Sequence, residues 1–177
     1  MCSRTPKAAS GDEARCEDDL VSASHWPIRS ATLSDRPRLR DIFRDAALSN
    51  EGDRESLEAH PEGLLLPDGP LDEGLVLVAA DDADIPVGFA TLLPSPAGFE
   101  LEDLFVDPDR MRRGIATALI RESLALARRE GARRIEVTGN VHALGFYESA
   151  GFVAELEVPT PYGAAAIRMH LDVPADG

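Results

Sequence analysis

The apolar patterning of this 177-residue chain predicts a mixed α/β (α+β) fold, one sheet with helices packed on it. Two observations carry that prediction. Between Gly74 and Val106, three short apolar runs follow one another with only turn residues between them, as in a meander. Soon after, Ala116, Leu119, Ile120, Ser123, Leu124 and Ala127 repeat at i, i+3 and i+4, as in a helix with one buried face. The whole order reads strand, two helices, three strands, helix, strand, helix, two strands.

Residues 1–24 are rich in Ser, Ala, Asp and Glu, with almost no large apolar side chains. They are expected to form a disordered leader before a single domain over residues 25–177. "WPIRSAT" alternates into a first strand ending at Thr32. Ser34 is the expected N-cap of a helix over Arg36 to Leu48, in which Leu39, Ile42, Phe43 and Ala46 share a face. "SNEGDRESLEAHPEG" suggests a shorter, weakly amphipathic second helix.

"GLVLVAA" and "VGFATLL" form a hairpin around "DDADIP", and "SPAG" turns the chain into "FELEDLFV". Pro108 should end that strand, because proline has no N–H for the ladder. Gly131 is the expected C-cap of the long helix. "RRIEVTG" is a strand, and His142 to Ala150 is a helix stopped by Gly151. "FVAELEV" and "AAAIRMHL" are two last strands around "PTPYG".

Composition narrows the function classes. A formal net charge of -14 argues against nucleic acid, whose phosphates need many exposed Lys and Arg. The longest apolar runs are far too short to span a bilayer and no apolar signal segment is visible, so a cytoplasmic location is expected. Cys2 and Cys16 make neither a disulfide framework nor a zinc site. His25, His60, His142 and His170 have no ligand spacing, and no metal is expected.

Yet eight of the 18 Lys+Arg lie between Arg110 and Arg134, against only Glu122 and Glu130. Local positive charge on an acidic chain suggests an anion site, although a solvated helix face carries the same pattern. "LEDLFV" runs into "RRGIATAL" through a short loop. The first turn of a helix has N–H groups without partners, and these attract anions. Gly114 and the small Ala116 would let a ligand approach the main chain, and Thr117 could add a hydroxyl donor. Arg110, Arg112 and Arg113 would surround a polyphosphate. Neither GxxxxGK[ST] nor GxGxxG is present.

A second segment, "NVHALGFYESAGF", has the spacing N-x-x-A-x-x-F-Y-x-x-x-G-F from Asn140 to Phe152. With "LFVDPDRMRRGIATAL" before it, the sequence resembles the GNAT superfamily of acyl-CoA-dependent N-acyltransferases over roughly residues 27–172. The resemblance implies a central, mostly antiparallel sheet of about six or seven strands flanked by about four helices. A splayed strand pair would hold CoA. It also implies backbone contacts from Leu104, Phe105 and Val106 to the pantetheine arm. Main-chain donors over Met111, Arg112, Arg113, Gly114, Ile115, Ala116 and Thr117 would hold the pyrophosphate. Asn140 would contact the pantetheine region, Phe146 would pack near the cofactor, and Tyr147 would face the thioester sulfur. Met111 stands where the family usually has Gln or Arg, which removes a side-chain contact and leaves the backbone donors.

The implied activity is transfer of an acetyl group from the cosubstrate acetyl-CoA to a primary amine, by direct attack in a ternary complex. The resemblance puts Tyr147 in the position of a general acid, whereas a core-filling helix aromatic is the plainer reading. On "FELEDLFV", period-two alternation sets Glu100, Glu102, Leu104 and Val106 on one face and Leu101, Asp103 and Phe105 on the other. Glu102 is taken as the base, with Glu100 and Asp103 behind it. Glu51, Asp53, Glu55 and Glu58 could attract a cationic amine, and Tyr162 could reach over the acceptor. The expected partners are a small-molecule or peptide amine and a second copy in a homodimer, with neither nucleic acid nor membrane. The alternative is a catalytically silent GNAT-fold module that binds CoA as a sensor or scaffold.

Overall fold

The structure, a computed structural model, describes residues 26–49, 69–72, 75–159 and 165–174. Its strands are β1 (Ile28–Ser30), β2 (Val76–Ala80), β3 (Pro86–Ser95), β4 (Gly98–Val106), β5 (Arg134–Asn140), β6 (Val153–Pro159) and β7 (Ala165–Asp172). Its helices are α1 (Arg36–Ser49), the short α2 (Gly69–Asp72), α3 (Ile115–Arg129) and α4 (Leu144–Ser149). The strands make one sheet in the order β1-β2-β3-β4-β5-β7-β6. Every neighbouring pair is antiparallel except β4 with β5. The mixed fold with its seven strands and four helices is the one expected.

The sheet is covered on both faces, and the sequence of β2 shows why. Val76 and Val78 join Leu39 and Ile42 of α1, Leu71 of α2 and Phe89 in one core. Leu77 and Ala79, pointing the other way, join Ile115, Leu119, Ile120 and Ala127 of α3 and Tyr147 of α4 in a second. A strand buried on both faces reads as an unbroken apolar run, not as an alternation. Each large aliphatic side chain so buried contributes about 1.5–3 kcal/mol.

The entry to α1 differs from expectation. Ser34 lies within a 3-10 turn, Leu33–Asp35, and the cap is built two residues earlier, at Thr32. The Asp35 carboxylate accepts from the Thr32 N–H at 2.8 Å and from the Arg29 guanidinium at 2.8 and 3.1 Å. Arg29 beside it holds that carboxyl down at about 2, against the cost of burial. The N-cap is thus Thr32, and Asp35 closes back on it as the acidic half of a capping box. The long helix ends as expected, with Gly131 at φ +69°. The later helix opens on a 3-10 turn, Val141–Ala143, and ends before Gly151 at φ +96°.

No helix among the described residues is long and apolar enough to cross a membrane. The leader, the second helix over "SNEGDRESLEAHPEG" (all but Ser49), and the turn "PTPYG" with Tyr162 (all but Pro159) lie outside the described residues. So do Glu51, Asp53, Glu55, Glu58, His25 and His60.

Candidate active site

The parallel pair β4–β5 is joined only at its start, through Gly98↔Arg134, Phe99↔Ile135 and Glu100↔Glu136. Beyond Glu100 the two strands part. The edge of β4 facing β5 then carries backbone N–H and C=O groups without a strand beside them, and such groups need other partners. A pocket of about 550 Å³ opens along that edge. Leu104 and Val106 line one wall, Met111, Arg112 and the Gly114–Thr117 turn another, and Ala143, Phe146 and Tyr147 the third.

Gly114 has φ +78° and is the N-cap of α3. The first intrahelical bond runs from the Ala118 N–H to the Gly114 carbonyl at 3.0 Å, so the amides of Ile115, Ala116 and Thr117 precede it. Arg112 also has a left-handed backbone, φ +60°, which a non-glycine residue adopts only under constraint. The loop is tied at its start, where the Asp107 carboxylate accepts from the Asp109 N–H at 2.9 Å and contacts Arg38 of α1. Gly88 lets α3 begin this close to β3, since a Cβ there would sit 2.9 Å from Ile115 Cγ2. Of the basic segment, Arg112 and Arg113 are exposed at the loop. Arg128 and Arg129 end α3, about 20 Å away. Arg134 binds Glu155 and Asp172 at 3.2 Å each, so the wider cluster is not gathered at the loop.

Tyr147 is buried, with edge-on contacts to Phe146 and Phe152 at 5.3 Å. Its ring lies across Gly139 of β5, where a Cβ would come within 2.9 Å of Tyr147 Cε2. Burial pushes the phenol up to about 12, so it stays protonated across the neutral range. Phe105, expected to act through its backbone alone, turns its ring away from the pocket, and the Asn140 side chain is engaged locally. The Phe105 ring packs on the α1 face, 4.8 Å from Phe43 and 5.8 Å from Phe89. Asn140 Oδ1 accepts from the Ala143 N–H at 2.9 Å, capping the turn before α4, and Asn140 does not line the pocket.

The alternation expected for "FELEDLFV" is broken by a β-bulge. Thr91 pairs with Asp103 and Leu92 with Leu101, which leaves Glu102 as the extra residue. Phe99 and Leu101 therefore share the α3 face with Leu104 and Val106, while Phe105 faces α1. Glu102 is exposed at the bulge and does not line the pocket. Partial desolvation, and then the carboxylates of Asp103 and Glu100, raise its carboxyl above the ordinary value. Burial also raises Asp103, against a hydrogen bond from Thr91.

A model of the acetyltransferase (GNAT) family matches residues 36–152. Among curated proteins, the peptidyl-lysine N-acetyltransferase YjaB of Salmonella typhimurium is 38% identical over 87 residues, 49% of this chain and 52% of that protein. The Escherichia coli protein of the same name is 35% identical over 92 residues, again 49% and 52%. The chain thus spans about half the length of the curated relatives it matches. Among solved structures, the PaiA N-acetyltransferase of Thermoplasma acidophilum, in complex with coenzyme A, aligns with a TM-score of 0.65 at 20% identity, over 84% of this chain and 99% of that one. The ribosomal-protein-S18-alanine N-acetyltransferase of Escherichia coli aligns at 0.63 and 21%, over 86% and 97%. At such identities these likenesses show the fold.

Proposed function

The chain belongs to the GNAT acetyltransferase family, and from that premise we propose that it transfers an acetyl group from acetyl-CoA to a primary amine. One observation carries this reading: the free edge of β4, the first turn of α3 and the Tyr147 ring all border a single pocket. A long thioester with a diphosphate at one end and a sulfur at the other suits that arrangement. The diphosphate would lie on the amides of Gly114–Thr117, where the helix dipole favours negative charge. The pantetheine arm carries amides and would pair with the edge of β4 at Leu104–Val106, as an added strand does. Its sulfur would then lie toward Tyr147.

The amine must arrive neutral. Its lone pair attacks the thioester carbonyl carbon, the C–S bond breaks, and the sulfur departs as a thiolate that takes a proton. The Tyr147 hydroxyl would give that proton to the sulfur and take one back from solvent. Glu102 would accept the amine proton, directly or through water, and its raised pKa makes it a stronger base than an ordinary glutamate. Neither group forms a covalent intermediate, so both substrates are bound together. The names of the curated relatives support a peptide lysine as the first acceptor to try.

The test is thiol release from acetyl-CoA, read with DTNB across lysine peptides, polyamines, aminoglycosides and amino acids. Amine-dependent release is the expected result. Tight binding of acetyl-CoA with no release in any case would reduce the protein to a silent CoA-binding module.

A further inference from the structure

Trp26 stands just before β1 on a fixed base. The Pro27 carbonyl accepts from the Ala80 N–H at 3.0 Å, and Ile28 begins the pairing with β2. The Trp26 ring packs against the core on the α3 face. From there its indole N–H donates to the Arg113 carbonyl at 2.8 Å, across 87 positions of sequence.

That carbonyl belongs to the peptide unit joining Arg113 to Gly114, in the loop that opens α3. A trans peptide points its C=O and its N–H in opposite directions, and no cis peptide occurs among the described residues. Holding the oxygen toward Trp26 therefore turns the Gly114 N–H away from it. The loop needs such a tie, because this plane turns about Arg113 ψ and Gly114 φ, and a glycine, here at φ +78°, resists that rotation least. Apolar packing alone could be met by phenylalanine; the indole adds the donor.

We propose that Trp26 is a positioning residue of the anion loop, its indole N–H fixing the peptide plane that aims the Gly114 amide at the diphosphate. The proposal rests on the reading of the pocket as an acetyl-CoA site. Trp26→Phe keeps the ring's packing and removes the donor. The KM for acetyl-CoA should rise about five- to tenfold, the worth of one net hydrogen bond, while kcat changes little. The KM for S-acetylpantetheine, which lacks the diphosphate, should stay where it is. An unchanged KM for acetyl-CoA overturns the proposal, and so does an equal rise for both thioesters, which would mean general loosening.

A second measurement needs no variant. Trp26 is the only tryptophan, so the protein gives a single indole N–H resonance. Saturation with CoA should shift it and pantetheine should not; a peak unmoved by bound CoA overturns the proposal even if the variant fails to fold. A parent protein that binds no CoA would instead remove the functional reading, and this inference with it.

Discussion

The two ends of the β4–β5 pair use the same strands for opposite purposes. At the closed end, Gly98 has φ +143°, and a Cβ there would meet the Arg134 carbonyl at 2.5 Å and Ala132 Cβ at 2.8 Å. Glycine is what lets the strands come together, and their backbone groups satisfy one another. At the open end the ladder with β5 stops at Glu100, Glu102 is inserted as a bulge against β3, and the pocket begins. A missing side chain closes one end and an extra residue marks the opening of the other. The difference teaches that the site is made by withholding strand pairing, so damage at each end should have a different character.

Four substitutions test that contrast. Gly114→Asp strikes the open end hardest, putting a carboxylate and a non-glycine residue at φ +78° where the diphosphate would lie. CoA affinity by calorimetry should fall on the order of 1000-fold; retained affinity would remove the loop from the site. Tyr147→Phe should lower kcat about 100-fold with little change in the KM for acetyl-CoA. An unchanged kcat would leave Tyr147 as packing alone.

Gly98→Ala strikes the closed end. It should cost about 2–3 kcal/mol in denaturant unfolding while CoA affinity per folded molecule holds. A selective loss of CoA affinity would mean that the two ends are not separable.

Asp103→Asn should have the smallest effect, visible in its pH dependence. Desolvation of the partly buried carboxyl raises it above its ordinary value in the folded protein, so folding favours its protonated form. That contribution is full below the unfolded value and is lost as pH rises through the folded one. The variant is neutral at every pH. Its Tm should match the parent near about pH 3.5 and exceed it by a few degrees toward about pH 7. A gap that narrows with rising pH would contradict the burial of this charge.

Much of this was readable from the sequence, for physical reasons. The i, i+3, i+4 repeat from Ala116 to Ala127 and the apolar run before Ala80 are local consequences of burial, and both gave the right elements. The strand-to-helix junction at Gly114 was readable because the apolar run before Val106 and the helical repeat after Ile115 mark its two sides. The bulge was not, since inserting Glu102 changes no residue type and an alternation count simply runs through it. That is why Leu101 and Leu104 were set on opposite faces although both pack against the α3-side core. Gly139 beneath Tyr147 and Gly88 beneath Ile115 went unread, although a lone glycine in a strand pattern signals close approach. The tie from Trp26 spans 87 positions, and nothing local announces it.

Residue-resolved hydrogen exchange with and without CoA tests the central claim most directly. The account predicts added protection at the amides of Leu104–Val106 and Gly114–Thr117, with none at Gly98–Glu100, where the ladder is already closed. Protection confined to other parts of the sheet, or equal at both ends of β4, would contradict it.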